Sequence, residues 1–264
     1  MYYVMHVLSA YVDFLKTALG RAPYPHSLSP PRDSYYTSPI NPNPRGEDDD
    51  PSMEAARSLI EIAYNYMKQQ FIHGAILPGS MLSENEIASQ LGISRTPVRH
   101  AISRLEAEGL VQPLKKRGVL VKEISFQENC ELYENILAMM QYAALVIEQE
   151  GFKEMDRLRD IYEQQLAATN KEDYHSYIQL SAAFNSCFVS SIRNRVMLQS
   201  MEIFQDRVVL FGIMNYRKTP HEPHFSATPL NGSILRALEE QQYEELGAIL
   251  RAASARIRQV RYIY

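Results

Sequence analysis

The chain has 264 residues, 45% of them hydrophobic and 22% charged, with a formal net charge of −4; that is enough apolar surface for two ordinary cores and excludes disorder of the whole chain. Its longest apolar runs, such as Ile136–Met140 and Val208–Met214, fall far short of the roughly 20 residues needed to cross a bilayer, so no transmembrane helix and no membrane partner are expected. The apolar start lacks the basic n-region and small-residue cleavage site of a secretory signal, and Cys130 and Cys187 form no metal or redox spacing, which together predict a cytoplasmic protein without a disulfide.

In chain order, Tyr2–Leu19 reads either as a short amphipathic helix or as an upstream extension without a function. Ala22–Asp50 is rich in Pro, Ser, Asn and Asp and ends in an acidic run, so residues 1–50 are expected to form a disordered arm and linker. From Ser52 to His73, apolar residues Leu59, Ile60, Ala63, Tyr64, Met67 and Phe71 recur at helical spacing until Gly74 and Pro78-Gly79. Ser83-Glu84-Asn85-Glu86 has the form of a capping box, opening a helix that runs to about Gln90 and is broken by Gly92. A third helix is predicted over Thr96–Glu108, with Ser94 as its cap and Pro97 in the first turn, where a missing amide proton costs nothing. Val98, Ala101, Ile102 and Leu105 share one face, leaving Arg95, Thr96, Arg99 and Arg104 nearer the other. Leu110–Pro113 and Val119–Lys122 then read as two strands around a basic, glycine-containing tip. Between Ser94 and Arg117 there are six basic residues against two acidic; this local positive patch suits phosphate, although charge alone fits a solvated surface as well.

From Ile72 to Val121 the residues resemble the GntR family of bacterial regulators. The likeness runs through Gly74, Pro78-Gly79, Leu82-Ser83-Glu84, Ile87-Ala88, Leu91-Gly92-Ile93-Ser94-Arg95-Thr96-Pro97-Val98-Arg99, Ala101, Leu105, Glu108-Gly109-Leu110 and Arg117-Gly118. It implies a winged helix-turn-helix over residues 51–125 that binds double-stranded DNA, its second motif helix entering the major groove. Arg95 and Arg99 would then meet base edges or adjacent phosphates, Ser94 and Thr96 would fix the helix start against the backbone, and Arg117 and Gly118 would lie toward the minor groove. Asn85 stands where relatives often carry Arg, which puts one family contact in doubt. Members of the family act as twofold dimers, implying a homodimer on an inverted-repeat operator.

Beyond Ser125 every segment reads as helix: about Phe126–Gln149, Lys153–Ala168, Tyr174–Ile192, Arg195–Tyr216, Ala227–Gln241 and Tyr243–Ile263. Residues 126–264 are therefore expected to form an antiparallel bundle, making the chain mainly α. Their order, together with Phe184, Asn194 and Ile234-Leu235-x-Ala237, is similar to the FCD domain of the FadR branch of that family, which binds small-molecule effectors and dimerises. Many relatives hold a metal there through one Asp and three His. The corresponding positions here are Ser181, Asn185, Asn231 and Ala253, a poor transition-metal set, so the metal is expected to be lost and no cofactor is expected. Asn185, Ser181 and Asn231 could instead contact an organic effector, or could be satisfied structural groups. On the first helix of this bundle, Asn135 and Met139 replace the Arg and Glu frequently seen in relatives, so recognition of a strongly anionic effector is not expected. Asn135 joins the candidate effector contacts, and Arg207 is the remaining inward cation.

Two other classes compete with a ligand-responsive repressor. An architectural DNA-binding protein would have an empty, wholly apolar bundle, whereas a roomy cavity lined by Asn185 and Asn231 would mark a sensor. An enzyme has its best raw material in His221-Glu222-Pro223-His224, but that tract lacks the helical histidine spacing of a zinc hydrolase. The sequence carries no phosphate loop, nucleophile elbow or paired-carboxylate motif, so no catalysis is expected.

Overall fold

The computed structural model describes residues 51–115, 118–220 and 224–261. The stretch before residue 51, with its alternative readings as helix or extension and its linker, lies outside the described residues, as does the wing tip at Lys116 and Arg117.

Helix α1 (Pro51–Ile72) lays Ala63, Tyr64, Met67 and Phe71 against α3 (Arg95–Ala107), whose Val98, Ala101, Ile102 and Leu105 complete a small core. Between them, α2 (Glu84–Leu91) contributes Ile87 and Ala88. Ser83 caps α2 by accepting the Glu86 amide at 3.4 Å, and Gly92 closes it at φ 64, the left-handed conformation that lets the chain turn sharply into α3. Ser94 occupies the cap position of α3 with extended backbone, but its side chain makes no capping hydrogen bond.

The wing departs from expectation. Strands β2 (Val111–Leu114) and β3 (Gly118–Val121) form the expected hairpin, but β1 (Met81–Leu82) pairs with the other edge of β3, giving a three-stranded sheet in the order β1-β3-β2. Met81 faces Leu120 and Leu82 faces Val119. Two residues are too few to show a strand's alternation, which is why the sequence reads as a two-stranded wing. Gly118 belongs to this sheet at φ 98, and a Cβ there would come within 3.0 Å of the Leu82 carbonyl oxygen.

The bundle consists of α4 (Phe126–Glu150), α5 (Met155–Asn170), α6 (Tyr174–Ser190), α7 (Arg195–Lys218), α8 (Ala227–Glu239) and α9 (Tyr243–Arg261). Helix α4 packs on α7 and α9, and α5 on α6 and α8. The shared core includes Ile136, Met140, Leu158, Phe184, Phe188, Met201, Ile234 and Leu250, each contributing roughly 1.5–3 kcal/mol by leaving water. Ser125, Asp173 and Asn194 cap α4, α6 and α7 by accepting amides three residues on. Apart from Gly151, the turns here use Glu172, Arg193 and Gln241 at positive φ, so no glycine marks them in the sequence. Among the described residues no helix is long and apolar enough to cross a membrane.

Candidate nucleic-acid interface and interior cavity

The turn between α2 and α3 leaves the start of α3 pointing outward, where free backbone amides and the helix dipole favour an anion. Ser94, Arg95, Thr96 and Arg99 are all exposed there, with the two arginine side chains 57% and 62% accessible. They are not independent. Arg99 donates from Nη2 and Nε to the two oxygens of Glu84 at 2.9 and 3.3 Å, and Arg95 Nη2 donates to the same carboxylate at 3.2 Å. The hydrogen bonds from Arg99, and then those from Arg95, hold the Glu84 carboxyl below the usual range against an opposing burial cost. One anionic side chain on α2 therefore sets the spacing of both guanidiniums.

Asn85 is exposed in the first turn of α2, beside Glu84. Gly118 lies in β3, with its conformation required by the close approach of β1, and Arg117 lies outside the described residues. Arg104 leaves the basic face altogether. Its guanidinium stacks 3.7 Å from the Tyr64 ring centroid and donates to Glu61 and Glu108 at 2.7 and 3.2 Å, so it holds α1 to α3.

The bundle holds a partly open cavity of about 510 Å³. Ser181 and Asn185 from α6, Asn231 from α8 and Ala253 from α9 all line it, so the fold brings the four aligned positions to one place. Their donors do not fit a transition metal: a hydroxyl, two carboxamides and a methyl offer neither imidazole nor carboxylate. Asn231 Nδ2 donates to Gln165 Oε1 at 2.9 Å, and Gln165 Nε2 donates to Ser181 Oγ at 2.6 Å. The fully buried Gln165 thus satisfies both groups, a role that sequence reading missed; its signal is one amide on the otherwise apolar face of Leu158, Ile161 and Ala168. Asn185 has no side-chain hydrogen bond among the described residues, and nor does the buried Asn129 Oδ1, which also borders the cavity. Most of the remaining wall is apolar, with Ile136, Leu137, Met140, Val208 and Leu230 prominent. Burial pushes the thiols of Cys130, at the wall, and Cys187 up to about 11, so both stay protonated at neutral pH.

Two expected contacts do not reach this cavity. Asn135 is exposed and donates to the Glu131 carbonyl at 2.8 Å, because α4 turns Leu132, Ile136, Leu137 and Met140 inward and leaves Asn135 on its outer side. Arg207 pairs with Glu128 and lies against Gly109 of the winged domain, and so does not line the cavity. Of the His221–His224 tract only His224 is described; it is buried, and its Nε2 lies 2.6 Å from the Thr219 carbonyl.

Helix α7 joins the two regions. Val208, Phe211, Gly212 and Asn215 face the cavity, while Leu210 enters the winged-domain core and Asp206 meets Lys68 of α1 at 2.5 Å. Burial, opposed by Lys68, pushes the Asp206 carboxyl up to about 6.

The family profile described as "Bacterial regulatory proteins, gntR family" matches residues 59–121, and that described as "FCD domain" matches residues 131–255. A transcriptional regulator encoded in the TAR-I ttuE-ttuC' intergenic region of Agrobacterium vitis is 30% identical over 135 residues, 50% of this chain and 79% of its own. The gluconate operon transcriptional repressor of Bacillus licheniformis is 27% identical over 136 residues, 50% of this chain and 54% of its own. Among solved structures, Escherichia coli McbR/YncC superposes with a TM-score of 0.65 at 21% identity, covering 77% of this chain and 97% of that one. Both sequence relatives are named for transcription control.

Proposed function

Since the chain belongs to the gntR family of bacterial regulatory proteins and carries an FCD domain behind its winged helix, it is a DNA-binding transcription regulator, and we propose that it is a cytoplasmic, ligand-responsive repressor acting as a homodimer on an inverted-repeat operator. The observation that carries the reading is the exposed Arg95–Arg99 pair at the start of α3, held at fixed spacing by Glu84. In a major groove these guanidiniums would read guanine edges or grip phosphates, with Ser94 and Thr96 against the backbone and the wing, through Gly118 and Arg117, toward the minor groove. Phosphate contacts make the affinity salt-dependent, and base contacts choose the operator.

The sensor part of the reading is supported by a cavity that Asn185 and Asn231 both line, which an effector-free architectural protein would not need. An effector seated against Val208 and Phe211 would bear on the helix that also carries Leu210 and Asp206 into the winged domain. It would shift operator affinity by no more than its differential affinity for the two arrangements. Repression accords with the name of the gluconate operon relative. Dimerisation is supported by an outer stripe on α4, where Asn135, Ala138, Tyr142 and Leu145 are exposed at alternating spacings of three and four, with Tyr142 50% and Leu145 60% accessible.

Selection of bound sequences from a random duplex pool by the full chain tests the reading. Enrichment of an inverted repeat, bound by a species of twice the chain mass in light scattering, is expected. No enrichment, or a monomer saturating one half-site, would contradict it.

A further inference from the structure

Helix α7 has a second face, turned away from the cavity. Asp206, Leu210 and Arg217, spaced by four and seven residues, share one stripe with Arg207 at its edge. All four touch the winged domain: Asp206 pairs with Lys68, Leu210 enters the domain's core, and the two guanidiniums lie against glycines. Arg217 Nη2 is 2.7 Å from where a Cβ would stand on Gly74, and Arg207 Cζ is 3.5 Å from the corresponding point on Gly109. Each glycine follows the end of a winged-domain helix by two positions, Gly74 after α1 and Gly109 after α3.

A helix end carries outward-facing carbonyls and the negative end of the dipole, so it draws a cation. Helix α1 has no basic residue in its own last turn, and Arg104, in the last turn of α3, is engaged by Tyr64, Glu61 and Glu108. Both ends therefore meet a cation carried by one helix of the bundle. Arg207 is anchored on its other side by Glu128, in the first turn of α4. Burial lowers its guanidinium from the ordinary arginine value, so the contact is held against a desolvation cost that an exposed charge does not meet.

In the proposed homodimer, on which this inference rests and whose bundles pair through α4, the separation of the two α3 helices follows from how each winged domain sits on its bundle. We propose that Arg207 and Arg217 set the half-site spacing that the dimer accepts, by clamping the ends of α3 and α1 to α7 and so fixing the angle at which each α3 is offered to the duplex. Arg95 and Arg99, at the opposite end of α3 from Gly109, choose the bases; the clamp chooses the distance between half-sites. Adding one base pair between half-sites moves the second by about 3.4 Å and turns it by about 35°, a mismatch that only a rigidly held domain registers.

The test measures binding of the full chain to duplexes that carry the selected half-sites at every spacer within one helical turn, and to a duplex with a single half-site, at fixed salt and across a salt series. The parent should favour one spacer over those a base pair longer or shorter. In Arg207→Met combined with Arg217→Ala that preference should fall about fivefold, because a clamped domain makes the duplex twist to fit whereas a loosened one turns instead. Single-half-site affinity and its salt slope should keep the parent's values; a merely structural role would lower the melting temperature and leave spacer choice alone. Arg217→Ala by itself, at an exposed side chain, should show about a twofold fall in the same preference, and it decides the matter if the double variant does not fold.

Variants with the parent's spacer preference, a dimeric parent indifferent to spacing, or a fall in single-half-site affinity or salt slope would overturn the proposal, the last by making these arginines direct phosphate contacts. In each of those cases an inverted repeat bound by a species of twice the chain mass leaves the homodimer reading standing. A parent that binds every spacer as a monomer on one half-site takes both down.

Discussion

Lys68 of the first helix and Asp206 of the helix lining the cavity form an ion pair at 2.5 Å, across the junction between the winged domain and the bundle. Burial outweighs Lys68 in setting the acid's titration, leaving Asp206 at about 6. An unfolded Asp titrates near ~4, so the folded state binds the proton more tightly. Asp206 then contributes stability that is fully present below the unfolded value and is lost as pH rises through about 6. The melting temperature of Asp206→Asn relative to the parent should rise between pH 4.5 and pH 7.5. A difference independent of pH would show that Asp206 titrates normally.

Leu210 belongs by sequence to the bundle and by burial to the winged-domain core. Leu210→Ala should cost about 2–5 kcal/mol in urea denaturation, through lost transfer energy and a residual cavity. It should also separate the unfolding of the two parts, seen as divergence between an aromatic fluorescence signal and far-ultraviolet dichroism. One coincident transition at the parent's midpoint would count against this helix as the coupling element.

Glu84 makes its own prediction because it shares one carboxylate between Arg95 and Arg99. In Glu84→Gln the arginines lose their common anchor, while one negative charge leaves the DNA-facing surface. Non-specific duplex binding should tighten and operator binding should not, so that the specificity ratio falls about tenfold. Equal changes on both duplexes, at fixed salt, would assign Glu84 a bulk electrostatic role only.

The convergence of Ser181, Asn185, Asn231 and Ala253 on one cavity predicts that ligands can be put back. The parent should show no change in melting temperature with zinc or nickel. Ser181→Asp combined with Asn185→His, Asn231→His and Ala253→His should gain metal-dependent stabilisation, as ligand binding to the folded state requires. A parent already stabilised by either metal would refute the lost site.

Helix positions were readable in the sequence because apolar spacing near 3.6 persists through each segment, and the winged helix-turn-helix because its caps, glycines and Pro97 fall at fixed offsets. Orientation was harder. A shift of one residue turns a side chain by about 100° on a helix, which separates the inward Ile136 from the exposed Asn135. Arg207 reads in the sequence as an inward cation, but that stretch faces the winged domain and its partner Glu128 is 79 positions earlier in the chain. The Glu84 bridge, the Gln165 network and the pairing of β1 with β3 are contacts between segments that no local pattern encodes. Arg104 illustrates the same limit: its charge suggested phosphate, and its geometry assigns it to Tyr64.

The most direct measurement is duplex binding by fluorescence anisotropy across a salt series, comparing the parent with Arg99→Ala and Arg95→Ala on the selected operator. Each substitution should cost about 1–3 kcal/mol on the operator, relax its specificity locally, and, where it removes a phosphate contact, lower the salt slope by about one. Parent-like affinity in both variants, or a parent that binds no duplex even in dilute buffer, would contradict a DNA-reading role for the start of α3.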